Sequence, residues 1–210
     1  MNTPIAALLF AVAFQTSAGQ SELAFDIYLD DKPVGFHRVQ IQESADERRV
    51  SVEAEMSVDI LFVNAFSYRH RADEVWRGDC IAALSTRTDD DGERRRVEAS
   101  RIGDALVLTT DDAQKHLDGC VRTFAYWNPQ LLDQDFLLNT QTGDYEPVRL
   151  VQMVDQPLHF KGREYGETQY RLEVGDTVKI DLWYDANRTW RALQTEVKSG
   201  RVLSYVRREG

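Results

Sequence analysis

Apolar and polar residues alternate along much of the chain. Between residues 50 and 58 the even positions are apolar and the odd positions are Ser or Glu. The same period of two recurs at residues 23–29 and 178–184. This period is typical of a strand with one buried and one solvated face. Because the strands of parallel sheets are apolar on both faces, the pattern predicts an antiparallel sheet.

Turn-forming residues, mostly Gly beside Asp, separate these segments. Gly adopts positive φ readily and Asp hydrogen-bonds nearby backbone, which favours tight turns. The turn segments are residues 30–33, 77–79, 90–92, 102–104, 142–144, 174–176 and 198–200. Their spacing predicts an all-β antiparallel meander of about ten to twelve strands. A sheet of that length curls as strand twist accumulates, so we expect a half-barrel or a barrel.

One segment departs from the strand pattern. Asn128 is a favourable helix cap and Pro129 a favourable first helical residue. Leu131, Leu132 and Phe136 follow near helical spacing. We therefore expect a short helix near residues 128–138, covering one opening of the sheet. No linker or shift in composition divides the chain, which predicts one β-rich domain over residues 19–210.

The N-terminus carries an apolar run without a charge at residues 5–14. A membrane-spanning helix needs about 20 such residues, so this run is too short to be one. It is typical of a signal peptide, and Thr16, Ser17 and Ala18 supply the small residues that cleavage requires. We expect a signal peptide at residues 1–18, cleavage near Ala18, and a periplasmic or secreted chain without a transmembrane segment. A buried N-terminal strand or helix is the alternative.

Charge and motif content exclude several function classes. The formal net charge is -10, which argues against a nucleic-acid partner. The sequence contains no G-x-S-x-G, H-E-x-x-H, phosphate-binding loop or G-x-G-x-x-G motif. The four histidines lack the spacing of metal ligands. We expect no cofactor and no metal, and a non-enzymatic role is favoured.

The chain has two cysteines, Cys80 and Cys120. An oxidising compartment favours a disulfide between them, which would stabilise the fold by about 4 kcal/mol. Two inert buried thiols, or one reactive thiol, are the alternatives.

Two groups of residues are candidates for a binding site. Tyr68, His70, Glu74 and Trp76 share one face of a predicted strand. A His beside a Glu is suited to acid–base catalysis or to a contribution to a metal site. The alternative is an outer face carrying solvated polar groups and stacked aromatics.

The second candidate group is Phe124, Tyr126 and Trp127. Aromatic side chains with polar tips are suited to lining an apolar ligand cavity. The alternative is a core plug packed against the disulfide. The same two interpretations apply to Trp183, Tyr184 and Trp190.

Several segments carry a family resemblance: residues 34–38, 68–76, 138–143 and 182–184, and above all the Cys-x-x-Thr-Phe-Ala-Tyr-Trp-Asn-Pro run at residues 120–129. Together they resemble a family of uncharacterised exported proteins of Gram-negative bacteria, a domain of unknown function. More remotely, the chain resembles the open-barrel lipoprotein carriers of the periplasm. The resemblance implies an exported barrel or half-barrel and a hydrophobic ligand. It implies no reaction and no catalytic residues.

Three functional hypotheses follow. The first is an envelope protein that binds an apolar, lipid-like or amphipathic ligand inside the curved sheet. The second is a structural module that docks an envelope protein through an exposed sheet face or edge. The third is a hydrolase or isomerase that uses His70 and Glu74.

Overall fold

The computed structural model describes residues 19–60, 63–197 and 200–209. The predicted signal peptide, residues 1–18, lies outside these ranges. The strands are β1 Gly19–Leu29, β2 Lys32–Glu43, β3 Arg48–Ile60, β4 Val63–Arg77, β5 Cys80–Asp90, β6 Glu93–Ile102, β7 Ala105–Thr110, β8 Gln114–Asp118, β9 Phe136–Leu138, β10 Tyr145–Asp155, β11 Leu158–Phe160, β12 Arg163–Tyr165, β13 Thr168–Val174, β14 Val178–Tyr184, β15 Trp190–Glu196 and β16 Val202–Arg207. No helix within these ranges is long and apolar enough to cross a membrane.

Fourteen of the strands form one antiparallel sheet in the order β8-β7-β6-β5-β4-β3-β2-β1-β16-β15-β14-β13-β10-β9. The prediction of an all-β antiparallel meander is confirmed. The strands outnumber the ten to twelve expected, partly because the turns at residues 44–47 and 111–113 contain neither Gly nor Pro and gave no turn signal. The first and last strands pair with each other in the middle of the sheet, with Phe25 opposite Arg207.

The predicted alternation defines an inner, buried face of the sheet. Leu23, Phe25, Ile27 and Leu29 of β1 are all buried. Register shifts interrupt several pairings, including those of β1 with β2 and of β4 with β5. Such bulges increase local twist and bend a sheet. They help the sheet to wrap around its inner core.

Strand β3 leaves no room for a side chain at Gly35 of β2. A Cβ atom built on Gly35 would lie 1.9 Å from the backbone oxygen of Glu55 on β3. Only a residue without a side chain fits there, which explains the glycine in physical terms.

The connection between β8 and β9 packs against the inner face; we call its first part, residues 119–128, the crossing segment. The Ile81 amide of β5 donates to the Val121 carbonyl at 2.9 Å, and the Leu138 amide of β9 donates to the Arg122 carbonyl at 2.8 Å. Cys80 and Cys120 form a disulfide, as predicted. The crossing segment is therefore anchored to both halves of the sheet.

The sheet does not close through strand pairing, since β8 and β9 are its edges. Side chains bridge the two ends instead. The Thr86 hydroxyl of β5 donates to the Thr140 carbonyl at 2.8 Å, and the Lys115 ammonium of β8 donates to the Gly143 carbonyl at 3.2 Å. The loop after β9 thus connects both ends of a strongly curved, open sheet.

The predicted helix is shorter than expected. A 3₁₀ helix covers Pro129–Asp133, and the Asn128 side chain caps it by accepting from the Gln130 amide. Gln134 is already extended, and Phe136–Leu138 forms strand β9. Pairing with β10 overrides the weak local preference for helix. The start of the helix was predicted correctly and its end was not.

A small second core lies on the outer face. Trp183 of β14 packs there with Leu158 of the β11–β12 hairpin and with Ala192 and Val206. The Trp183 indole donates to the Gln156 carbonyl at 3.1 Å. Trp183 is therefore a core residue on the side away from the crossing segment.

Candidate functional site

A cavity of about 300 Å³ lies between the inner face of the sheet and the crossing segment. Strands β2–β4 form one wall, strands β14–β16 form the other, and the crossing segment and the loop after β9 cover it. Its aliphatic lining residues are Val39, Val52, Ala54, Ala125, Val174, Val178, Ile180, Leu193 and Leu203. Val178 is both a lining residue and 46% exposed, so it marks a mouth of the cavity.

Three of the four candidate residues on β4 line this cavity. Tyr68, His70 and Glu74 are buried and face inward, whereas the alternate residues Arg69, Arg71 and Asp73 are exposed. The interpretation of this face as a solvated outer surface is therefore wrong. Trp76 lies on the same side but is fully buried outside the cavity lining. Its indole donates to Oε2 of Glu74 at 2.7 Å and so orients the Glu74 carboxyl group in the cavity wall.

His70 and Glu74 each have a partner of their own. Nδ1 of His70 lies 2.9 Å from the Thr88 hydroxyl on β5, and Glu74 accepts from Trp76. The strand places both side chains on one cavity wall without a hydrogen bond between them in the described structure. An acid–base mechanism built on a direct His70–Glu74 pair has no support in this geometry.

All three candidate residues of the crossing segment also line the cavity, and they pack partly against the core. Trp127 meets Trp76 edge-on at 5.3 Å between ring centroids. The Tyr184 hydroxyl donates to the Tyr126 carbonyl at 2.8 Å, which fixes the backbone beside Phe124. These rings pack against the core and also form a cavity wall, and their part in ligand binding stays a prediction.

The cavity also has lining residues beyond the two candidate groups. His37 of β2 and Tyr205 of β16 lie 5.7 Å apart between ring centroids, and Trp190 of β15 lies 5.6 Å from His37. Their inward direction follows from strand alternation, but their proximity depends on the pairing of β1 with β16. No pattern in the sequence indicated that the first and last strands pair.

Comparison with known proteins adds a family and a fold. A family model described as a domain of unknown function, DUF6134, matches residues 25–208. The chain belongs to the DUF6134 family. This confirms the expected membership of an uncharacterised β-rich domain of unknown function. No curated protein matches this DUF6134 chain.

A solved structure shares the fold. The crystal structure of a beta-barrel-like protein of domain of unknown function DUF1849 from Brucella abortus aligns with a TM-score of 0.59 and 13% identity. The alignment covers 90% of this chain and 95% of that chain. At this identity the similarity concerns the fold alone.

Two polar atoms in the wall of the DUF6134 cavity are buried without a partner. The Thr123 hydroxyl and the Trp127 indole nitrogen make no hydrogen bond within the described structure. An unsatisfied buried polar group costs about 1–3 kcal/mol. Both residues contribute to the cavity lining, and the two atoms themselves lie buried within its wall.

Burial controls the charge of the cavity. It lowers the pKa of His70 to about 4 and, together with the neighbouring His70, the pKa of His37 to about 3. Burial raises the pKa of Glu74 to about 7 and that of Tyr205 to about 12. Near pH 7 the two imidazoles and the Tyr205 phenol are neutral, and the raised pKa of Glu74 favours its protonated form more than an exposed glutamate would.

The described residues contain no group of three or more His, Cys, Asp or Glu that could hold a metal ion. His37 and His70 face the same cavity without a third ligand beside them. The arrangement is suited to hydrogen bonding and aromatic contact with a small molecule.

Proposed function

We propose that the protein holds a small amphipathic molecule in the cavity beneath the crossing segment. The observation that carries this proposal is a cavity with a largely aromatic and apolar wall into which a few buried polar side chains, among them His70 and Glu74, project. A few polar groups in an apolar cavity are typical of sites that orient a ligand.

The cavity volume limits the ligand. About 300 Å³ equals the liquid volume of about ten water molecules. We therefore propose a ligand of about ten to fifteen non-hydrogen atoms. The remote resemblance to periplasmic lipoprotein carriers supports an apolar portion in this ligand, but the volume favours a molecule much smaller than a complete phospholipid.

We further propose that the protein is exported to the periplasm or secreted. The apolar run at residues 5–14 and the small residues up to Ala18 support this proposal. The Cys80–Cys120 disulfide also supports it, since disulfides persist in oxidising compartments.

Native mass spectrometry of protein purified from the envelope fraction tests the binding function. We expect an adduct of about 150–250 Da, the mass of ten to fifteen non-hydrogen atoms, that disappears on denaturation. In Ala54→Leu, the longer side chain projects into the cavity and should abolish the adduct. Ala24→Leu, a substitution on the outer face, is the matched control and should retain it. An adduct that persists in Ala54→Leu, or a ligand-free mass in every preparation, would contradict the proposal.

A further inference from the structure

Glu74 is a buried carboxyl group without a cationic partner in the described structure. It is 5% exposed, it lines the cavity, and it accepts a hydrogen bond from the Trp76 indole. The ion pairs found elsewhere lie mainly on the protein surface and none includes it. Burying a carboxylate is costly unless a positive charge compensates it. A ligand can supply that charge.

Aromatic rings surround the same cavity. Tyr126 lies 5.3 Å and Tyr205 lies 6.5 Å from Trp190 between ring centroids, and Phe124 and Trp127 complete the lining. The faces of such rings attract cations. This part of the molecule is therefore chemically suited to a positively charged group.

Two arginines of the protein lie over aromatic rings in this way. The Arg48 guanidinium lies 5.3 Å from the Trp127 ring centroid, and the Arg207 guanidinium lies 5.7 Å from that of Phe25. Neither arginine lines the cavity, and the described lining contains no Lys or Arg. Arg48 thus lies over one lining ring, Trp127, whereas no Lys or Arg of the described residues lies over the lining rings of Tyr126, Trp190 and Tyr205.

A second carboxyl group adds to the excess of acidic over basic side chains in the described cavity lining. Glu146 also lines the cavity, and its carboxyl group accepts a hydrogen bond from the side-chain amide of Asn139 at 2.8 Å. It contributes to the raised pKa of Tyr126. The neutral imidazoles of His37 and His70 add no positive charge near pH 7. The formal net charge of -10 further favours approach of a cation over an anion.

We propose that the polar end of the ligand is an organic ammonium group, held against the aromatic rings of the cavity with Glu74 as its counter-ion. This inference rests on the proposed binding function and specifies the chemical class of the ligand. An anionic ligand such as a fatty acid would face two carboxyl groups and no cationic lining residue in the described structure, so the same geometry disfavours it.

Three probes of similar size and different charge test the ligand class: 4-phenylbutylamine, 4-phenylbutan-1-ol and 4-phenylbutyrate. They share an aromatic ring and a four-carbon chain and differ in the terminal group. Isothermal titration calorimetry at pH 8 should show the amine binding at least about tenfold more tightly than the alcohol. The carboxylate should bind more weakly than both.

Glu74→Gln tests the assigned counter-ion. The amide keeps the shape of the side chain and its capacity to accept from Trp76, but it removes the charge. We expect the variant to lose at least about tenfold in amine affinity and to keep its affinity for the alcohol. Glu43→Gln, at an exposed position on β2, is the matched control and should bind all three probes as the unmodified protein does.

The probe series on the unmodified protein tests the proposal even if Glu74→Gln fails to fold. Tighter binding of the alcohol or the carboxylate than of the amine would overturn the ammonium assignment and leave the binding function standing. Equal loss of amine and alcohol affinity in folded Glu74→Gln would overturn the role of Glu74. Saturation by none of the three probes would overturn both the ligand class and the proposed function.

Discussion

Glu74 makes folding sensitive to pH in a direction opposite to that of most carboxyl groups. Its pKa is about 7 in the folded protein, well above the ordinary value of 4.5 for a glutamate side chain. The unfolded chain therefore releases this proton at lower pH, and raising the pH from 4.5 to 7 favours unfolding. Above pH 7 the raised pKa of Glu74 lowers the free energy of unfolding by about 3 kcal/mol, since each pKa unit corresponds to about 1.4 kcal/mol.

We predict that Glu74→Gln is more stable than the unmodified protein at pH 8 and no more stable at pH 4. The expected gain at pH 8 is about 1–3 kcal/mol, because the amide cannot ionise. Urea unfolding of both proteins at the two pH values measures the difference. A difference that does not change with pH would contradict the raised pKa of Glu74.

His37 has the opposite effect on folding. The unfolded imidazole binds a proton near pH 6.5, whereas the folded one remains neutral until about pH 3. Between these values the unfolded state holds the extra proton, so stability is lost as the pH falls.

We predict that His37→Phe reduces the acid lability of the fold. Phe retains the ring contacts with Phe25, Trp190 and Tyr205 but cannot bind a proton. The slope of unfolding free energy against pH between 4 and 6 should fall by about 1.4 kcal/mol per pH unit. An identical slope in His37→Phe would show that His37 stays accessible to protons in the folded state.

At the scale of single elements, the crossing segment determines both core packing and cavity shape. Its backbone hydrogen bonds reach β5 and β9, and its disulfide joins it to the start of β5. The covalent bond encloses a sequence separation of 40 residues, which restricts the unfolded chain more than the folded one.

We predict that replacing Cys80 and Cys120 together by Ser lowers the free energy of unfolding by about 4 kcal/mol. Chemical denaturation with and without a reductant measures the loss. The reductant should weaken the unmodified protein by a similar amount and leave the double variant unaffected. Equal stability of the two proteins under oxidising conditions would show that the crossing segment is held by its noncovalent contacts alone.

The elements also show how far sequence reasoning extends. Strict alternation predicted the strands. It also placed Tyr68, His70 and Glu74 on one face, but it did not show whether that face is the inner or the outer one. It did not separate Trp76 from them, because Trp76 shares that face and its full burial depends on contact with Trp127 of the distant crossing segment. The end of the helix was also mispredicted, since Phe136–Leu138 is extended only through its pairing with β10.

At the scale of the whole molecule, the cavity depends on contacts between distant parts of the sequence. His37 and Tyr205 face each other because β1 joins β2 to β16, and ion pairs such as Arg208 with Asp26 reinforce that junction. No local pattern contains this information. The sequence therefore predicted single walls of the site and could not predict the cavity that they enclose.

The pairing of the first and last strands has a consequence for the order of assembly. Strands β1–β8 form hairpins between neighbours in sequence, whereas β1 and β16 must close a loop of nearly the whole chain, which is entropically costly and slow. We expect the cavity to be completed last, when β16 docks on the exposed edge of β1. A chain emerging N-terminus first would carry that unpaired edge until its final residues arrived, and ligand capture would begin only with the finished molecule.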